Sequence, residues 1–291
     1  MREDFGILIM SYGRPDNVKT LSSLLKSNYT GKWFIVIGDD DPAIEGYKAK
    51  FGEQCIVFNK DEYIAKSDRM GLKITKVIMF ARNACFDIAE SLGLTYFQQL
   101  DDDYTSFHFA FDNKMEYCNK LTRVNYDHLI NAMLLFFISC PNTLLGMSFL
   151  QGGDFIGGVS QNDRWAFTFL RKCMNGWLCS TERRFLFQGV MNEDVSAYTN
   201  LQTTGSFFLT LSQIRLQQPI TQTTGGMTAM YKQYGTHVKS FLSVMLNPSF
   251  CKVSVLTNKQ QRLHHRIDWK KCGAKIIRDT HVKGDRKTLI K

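Results

Sequence analysis

Three consecutive aspartates, Asp101-Asp102-Asp103, close the apolar run that extends from Leu94 to Leu100. A run of that length and character reads as a short buried strand. Carboxylates crowded at a strand end disfavour one another's ionisation, so something positive must compensate them. Hard oxygen donors suit Mg2+ or Mn2+, and strand ends are where α/β proteins bind ligands. The tripeptide therefore points to a metal site at the mouth of a sheet, fit to hold a diphosphate. It reads equally as a solvated acidic turn, since short acidic motifs are common.

The surrounding pattern sets the fold class. Phe5–Met10, Trp33–Ile37 and Ile56–Phe58 read as strands. Val18, Leu21, Leu24 and Leu25 recur at helical spacing after the start signal Pro15-Asp16-Asn17. A long helix is expected from Arg69 to Leu92, stopped by Gly93. Strands alternating with helices over residues 5–103 imply an α/β fold with a parallel, doubly wound sheet. A second acidic cluster, Asp39-Asp40-Asp41, follows the second strand, where an acid accepts hydrogen bonds from ribose hydroxyls. No glycine-rich phosphate loop is present, which strengthens a metal as the phosphate holder. The second half is less regular. Tyr126–Ile138 reads as a helix, 147–170 as short strands with glycine turns, Asn192-Glu193-Asp194-Val195 as a helix start and Phe207–Leu211 as a strand.

The chain has 291 residues and a net charge of +9. Eleven Lys or Arg and three Asp between 258 and 291 account for +8 of it. Basic residues mixed with His and Trp suit a polyanion such as nucleic acid; a solubilising tail is the other reading. The longest apolar run, Ala132–Ile138, falls well short of the roughly 20 residues of a membrane span. The charged start Met1-Arg2-Glu3-Asp4 does not read as a signal peptide. Eight cysteines without a CxxC pair suggest a reducing, cytoplasmic setting rather than a zinc cluster or disulfide framework.

With these pieces assembled, the first half resembles the nucleotide-binding region of GT-A glycosyltransferases. The resemblance rests on residues 7–15 as first strand and loop, Ala81-Arg82-Asn83, and the DxD of Asp101 and Asp103. The later set, residues 192–195, Thr223-Thr224-Gly225-Gly226-Met227, Tyr231 and Gly235-Thr236-His237-Val238-Lys239, is similar to the TET-associated glycosyltransferases, a mainly phage family thought to add sugars to hydroxymethylated pyrimidines in DNA. The resemblance covers about residues 5–250. It implies a single GT-A-like domain over 1–257, with a nucleotide-sugar half to about 105, a mixed acceptor half at 106–257, and a basic extension at 258–291.

It also implies roles. Asp101 and Asp103 would flank Mn2+ or Mg2+, with His237 completing the metal site; a core or surface histidine is the alternative. Tyr12, Arg14, Asp39, Asp40, Arg82, Asp102 and Lys239 would border the UDP-sugar donor, against capping, turns and surface pairing as the plainer readings. Asp194, or Glu193 beside it, would be the base of an inverting transfer, or else an N-cap. Trp165, Phe185 and Phe187 would stack an acceptor base, or fill the core. The implied reaction is sugar transfer to the hydroxymethyl group of 5-hydroxymethylcytosine in phage DNA, in the host cytoplasm. A protein or glycan acceptor, and a non-catalytic nucleic-acid-binding module, are the rival readings.

Overall fold

The structure is a computed structural model that describes residues 1–67, 69–111, 117–151, 173, 175–218, 234–256 and 261–273. Four parallel strands carry its first half: β1 (Phe5–Met10), β2 (Lys32–Gly38), β3 (Cys55–Phe58) and β4 (Tyr96–Asp101). The second half adds β5 (Ser106–Phe111), β6 (Tyr117–Arg123), β7 (Leu144–Gln151), β8 (Asn175–Ser180) and β9 (Phe207–Gln217) to the same sheet. The order is β3-β2-β1-β4-β8-β7-β9-β5-β6. Strand β8 runs antiparallel to both β4 and β7, so it stitches the parallel half to the mixed half. The split expected near residue 105 thus lies within one continuous sheet.

Both faces of this sheet are covered. Along β1, Leu8 and Met10 enter one core while Phe5, Ile7 and Ile9 enter the other. That period-two division explains why β1 is apolar at every position. Helices α1 (Lys19–Lys26), α2 (Ile44–Phe51) and α3 (Lys60–Lys66) join the first strands, followed by α4 (Met79–Ser91). The long helix expected from Arg69 begins only at Met79, and Met70 and Gly71 both adopt positive φ, of 53° and 75°, within its expected first turn. Two successive left-handed residues cannot continue a right-handed helix. Its other end is as expected. Gly93 N–H bonds Glu90 O and Leu94 N–H bonds Ala89 O, with Gly93 at φ 69°. These are the paired bonds of a Schellman stop.

Helix α5 (Tyr126–Ser139) is capped by Asn125, and α6 (Glu193–Thr203) and α7 (Thr236–Leu246) follow later. A two-stranded hairpin, β10 (Cys251–Leu256) and β11 (Arg262–Ile267), and the short α8 (Trp269–Cys272) end the described chain. The boundary expected at 257 therefore falls inside a hairpin. Ile267 and Cys272 are buried in the core, and the Trp269 ring stacks on Tyr198 of α6 at 5.6 Å. Of the expected basic extension, 258–260 and 274–291 lie outside the described residues. Among the described residues no helix is long and apolar enough to cross a membrane, and Cys55, Cys85, Cys140, Cys173, Cys179, Cys251 and Cys272 form no disulfide.

Candidate active site

Because β1, β2 and β4 are parallel, their C-terminal ends open on one edge of the sheet. That edge carries Ser11–Arg14, Asp39–Asp41 and Asp101–Asp103 side by side. The three aspartates of the DxD segment have three different surroundings. Asp102, 1% exposed, turns into the fold. Its carboxylate takes both arms of Arg14, Nε at 2.7 Å and a terminal nitrogen at 2.6 Å, and accepts from Ser11 Oγ. Burial pushes its pKa up while Arg14 pulls it down. Arg14 and Asp102, both assigned to the donor on sequence, are thus paired with each other and lock the loop after β1.

Asp101 faces Arg82 on α4, 3.1 Å away. Arg82 is 3% exposed, and its Nε reaches Glu193 Oε1 at 3.1 Å. One buried guanidinium therefore joins the end of β4 to the first residue of α6, and its bond to Glu193 spans 111 positions of sequence. Removed from water, it stays charged because Asp101 and Glu193 sit against it. Its other terminal nitrogen is buried without a partner among the described residues. The neighbouring Asn83 exchanges two bonds with the Phe187 backbone, at 2.8 and 3.1 Å, and so fixes the segment leading to α6. The Ala81-Arg82-Asn83 motif is a clamp between α4 and the two carboxylate segments.

Asp103 is left over. Among the described residues it forms no ion pair. Partial burial, then Asp101 and Asp102, push its pKa up to about 6. Three carboxylates share two guanidinium groups here, and the deficit falls on Asp103. A divalent cation suits this donor set, since Mg2+ is held by one or two carboxylates with substrate phosphates supplying other ligands. No three His, Cys, Asp or Glu side chains are grouped for a metal among the described residues. His237 is exposed at the start of α7, and Lys239, two residues on, is half-buried.

At the start of α6, Glu193 is held by Arg82 and its pKa is raised to about 7, by burial first and then by Asp194. Asp194, the second residue of the helix, is half-buried, and none of the described ion pairs includes it. Neither residue is the N-cap. That position belongs to Asn192, in the left-handed region at φ 56°, and its side chain caps nothing. Its amide instead donates to Lys239 O at 3.1 Å and Ser243 Oγ at 2.8 Å, and lies 3.3 Å from His265 Nδ1. The capping alternative for Asp194 is thereby removed.

The second acidic cluster is largely spoken for. Asp40 pairs with Lys60 at 2.7 Å, Asp39 accepts from the Lys60 amide at 3.1 Å, and Asp41 accepts from the Gly13 and Ala43 amides. Tyr12, 41% exposed, has Lys60 Nζ 5.7 Å from its ring centre. Phe185 and Phe187 are core residues, packed with Trp177, Phe86 and Phe208, and do not offer a stacking face. Trp165, residues 223–227 and Tyr231 lie outside the described residues. On sequence Arg82 could pair with an acid, but nothing there singled out Glu193 as that acid.

The model of one protein family, described as TET-Associated Glycosyltransferase, matches residues 5–227. The chain belongs to that family. Among solved structures, glucosyl-3-phosphoglycerate synthase from Mycobacterium tuberculosis, in complex with Mn2+, UDP and phosphoglyceric acid, is 7% identical with a TM-score of 0.44. The match covers 90% of this chain and 86% of that one. S. aureus TarS (residues 1–349) is 14% identical over 74% of this chain and 60% of its own, with a TM-score of 0.41. GalNAc-T7 with UDP, GalNAc and Mn2+ is 14% identical over 74% and 43%, with a TM-score of 0.43. A comparison with curated proteins finds no match. Family membership and the mixed sheet together make this a GT-A-like glycosyltransferase fold.

Proposed function

We propose that this glycosyltransferase moves a sugar from a UDP-sugar to the hydroxymethyl group of 5-hydroxymethylcytosine in DNA. The observation that carries the reading is Arg82, which holds the DxD aspartate Asp101 and the α6 acid Glu193 on one buried charge. Donor chemistry and acceptor chemistry need such closeness, and chain positions 101 and 193 share it through this residue. Asp103 and the outer oxygen of Asp101 would hold Mn2+ or Mg2+. The bound cation supplies positive charge to the departing diphosphate. Tyr12, exposed beside Lys60, offers a face for the uracil ring.

Asp194 is the residue we assign as base. A primary alcohol is a weak nucleophile until a carboxylate takes its proton. Glu193 is committed to Arg82, whereas Asp194 has no such ion pair among the described residues. The base of a duplex would have to be flipped out to reach it. The donor side occupies residues 1–105 and the acceptor side the remainder, now extended through β11 and α8.

The test is UDP release from a panel of UDP-sugars, with and without hydroxymethylated DNA. Release that requires the modified DNA supports the reading. Release only with a protein or glycan acceptor replaces it, and absence of turnover under all conditions makes the chain a binding module.

A further inference from the structure

We infer that the β10–β11 hairpin is the surface that receives the phosphate backbone of the acceptor; the inference rests on the DNA reading above. The register places Lys252 directly opposite Arg266, with Ser254 opposite His264 two residues further along the same face. Lys252 and Arg266 are both exposed. Like charges directly opposite each other across a sheet are destabilising. Neither strand contains a carboxylate, and no described ion pair includes either residue. Among the described residues, the fold therefore maintains a positive face without an ion pair to compensate it. A chain of phosphates matches that charge at regular intervals.

The opposite side of the hairpin is fixed. Cys251 and Ile267 are buried, and Asp268 N–H bonds Phe250 O at 2.8 Å. Ser240 Oγ donates to Leu263 O at 3.2 Å. His265 lies 3.3 Å from Asn192, the residue immediately before Glu193 and Asp194. A phosphate chain seated on Lys252 and Arg266 is thus held in a set relation to the start of α6. Contacts of this kind position a nucleic acid without reading its sequence. The remaining basic residues at 274–291, six Lys or Arg with two Asp, add general attraction; the hairpin supplies register.

The experiment compares the full chain with its Lys252→Gln/Arg266→Gln variant on labelled duplexes, with and without 5-hydroxymethylcytosine, between about 50 and 200 mM salt. Each phosphate contact contributes roughly 0.9 to the slope of log K against log salt. The slope is expected to fall by about 2 on both duplexes. UDP affinity should hold, and Tm should stay level or rise as the cross-strand repulsion is relieved. Lys252→Glu/Arg266→Glu should weaken binding further than the Gln pair. An unchanged slope overturns the inference, and so does a lowered Tm accompanying the lost affinity, which would make the charges structural. If the hairpin governs binding but no sugar reaches the modified base, the inference stands and the acceptor assignment fails. If sugar is transferred with the slope unaffected by the variant, the assignment stands and the inference fails.

Discussion

The mouth of the parallel sheet and the β10–β11 hairpin treat charge in opposite ways. At the mouth, nearly every carboxylate is answered by the protein. Arg14 answers Asp102, Arg82 answers Asp101 and Glu193, and Lys60 answers Asp40. At the hairpin, Lys252 faces Arg266 and the strands carry no acid. The comparison teaches where a ligand is expected. Compensated charges build the frame, and the charge the frame leaves over marks the ligand: Asp103 for a cation, the hairpin for an anion. Burial decides the first case, because an unpaired carboxylate out of water is costly.

The largest effect should come from the uncompensated acid. Asp103→Ala is expected to lower transfer by more than about 100-fold, and EDTA should inhibit the wild type reversibly. Its Tm in EDTA should match or exceed that of the wild type, because the folded state raises this pKa to about 6 and so disfavours the ionised carboxylate at neutral pH. Full activity in EDTA, or a marked fall in Tm, would place Asp103 in the frame instead.

Asp194→Asn comes next. The amide keeps the shape but cannot take a proton, so transfer should fall by about 10²–10⁴ while fold, UDP binding and DNA binding persist. Activity near wild type would move the base to Glu193.

Arg82 tests the compensated side. Arg82→Ala leaves Asp101 and Glu193 partly buried and unpaired, and should cost about 3–5 kcal/mol in a denaturant melt. Arg82→Lys should restore little, since one ammonium cannot span both carboxylates as a planar fork does. A melt like the wild type's for either variant would break the distinction between frame and ligand charges.

The smallest effect is a pH dependence. Glu193 has a folded pKa of about 7, above the 4.5 of an unperturbed glutamate. Its folded state holds the proton more tightly than the unfolded chain does. The resulting stability is full below about pH 4.5 and is lost as pH rises through about 7. Glu193→Gln should therefore gain on the wild type as pH rises from 5 to 8. Parallel Tm–pH curves for the two would contradict that.

Legibility in the sequence follows the same division. Strands β1 to β4 were readable because each is built on a short apolar run flanked by turn signals. The start of α4 was not, because Met70 continues an apolar pattern while adopting a left-handed conformation. Strands β5 and β8 escaped notice: SFHFAF is short, and NGWLCS contains Gly176 at φ 65°. The hairpin's second strand was hidden by its charge, since Arg262 and Arg266 stand in the basic run from 258 that reads as tail. In the site, the identity of the acids was legible and their partners were not. Pairing between Arg82 and Glu193, or Arg14 and Asp102, is set by the sheet order, which brings distant segments together. For Phe185 and Phe187 the sequence left stacking and core packing both open, because aromatic spacing alone does not say which way a loop turns; they are core.

The most direct test of the central claim is the mass of the nucleosides recovered after 5-hydroxymethylcytosine DNA is incubated with the chain, Mn2+ and UDP-sugars, with Asp103→Ala and Asp194→Asn run alongside. The wild type is expected to yield a nucleoside heavier than 5-hydroxymethylcytosine by one sugar residue, and either variant almost none. An unmodified nucleoside in the wild type, with UDP released to some other acceptor, would contradict it.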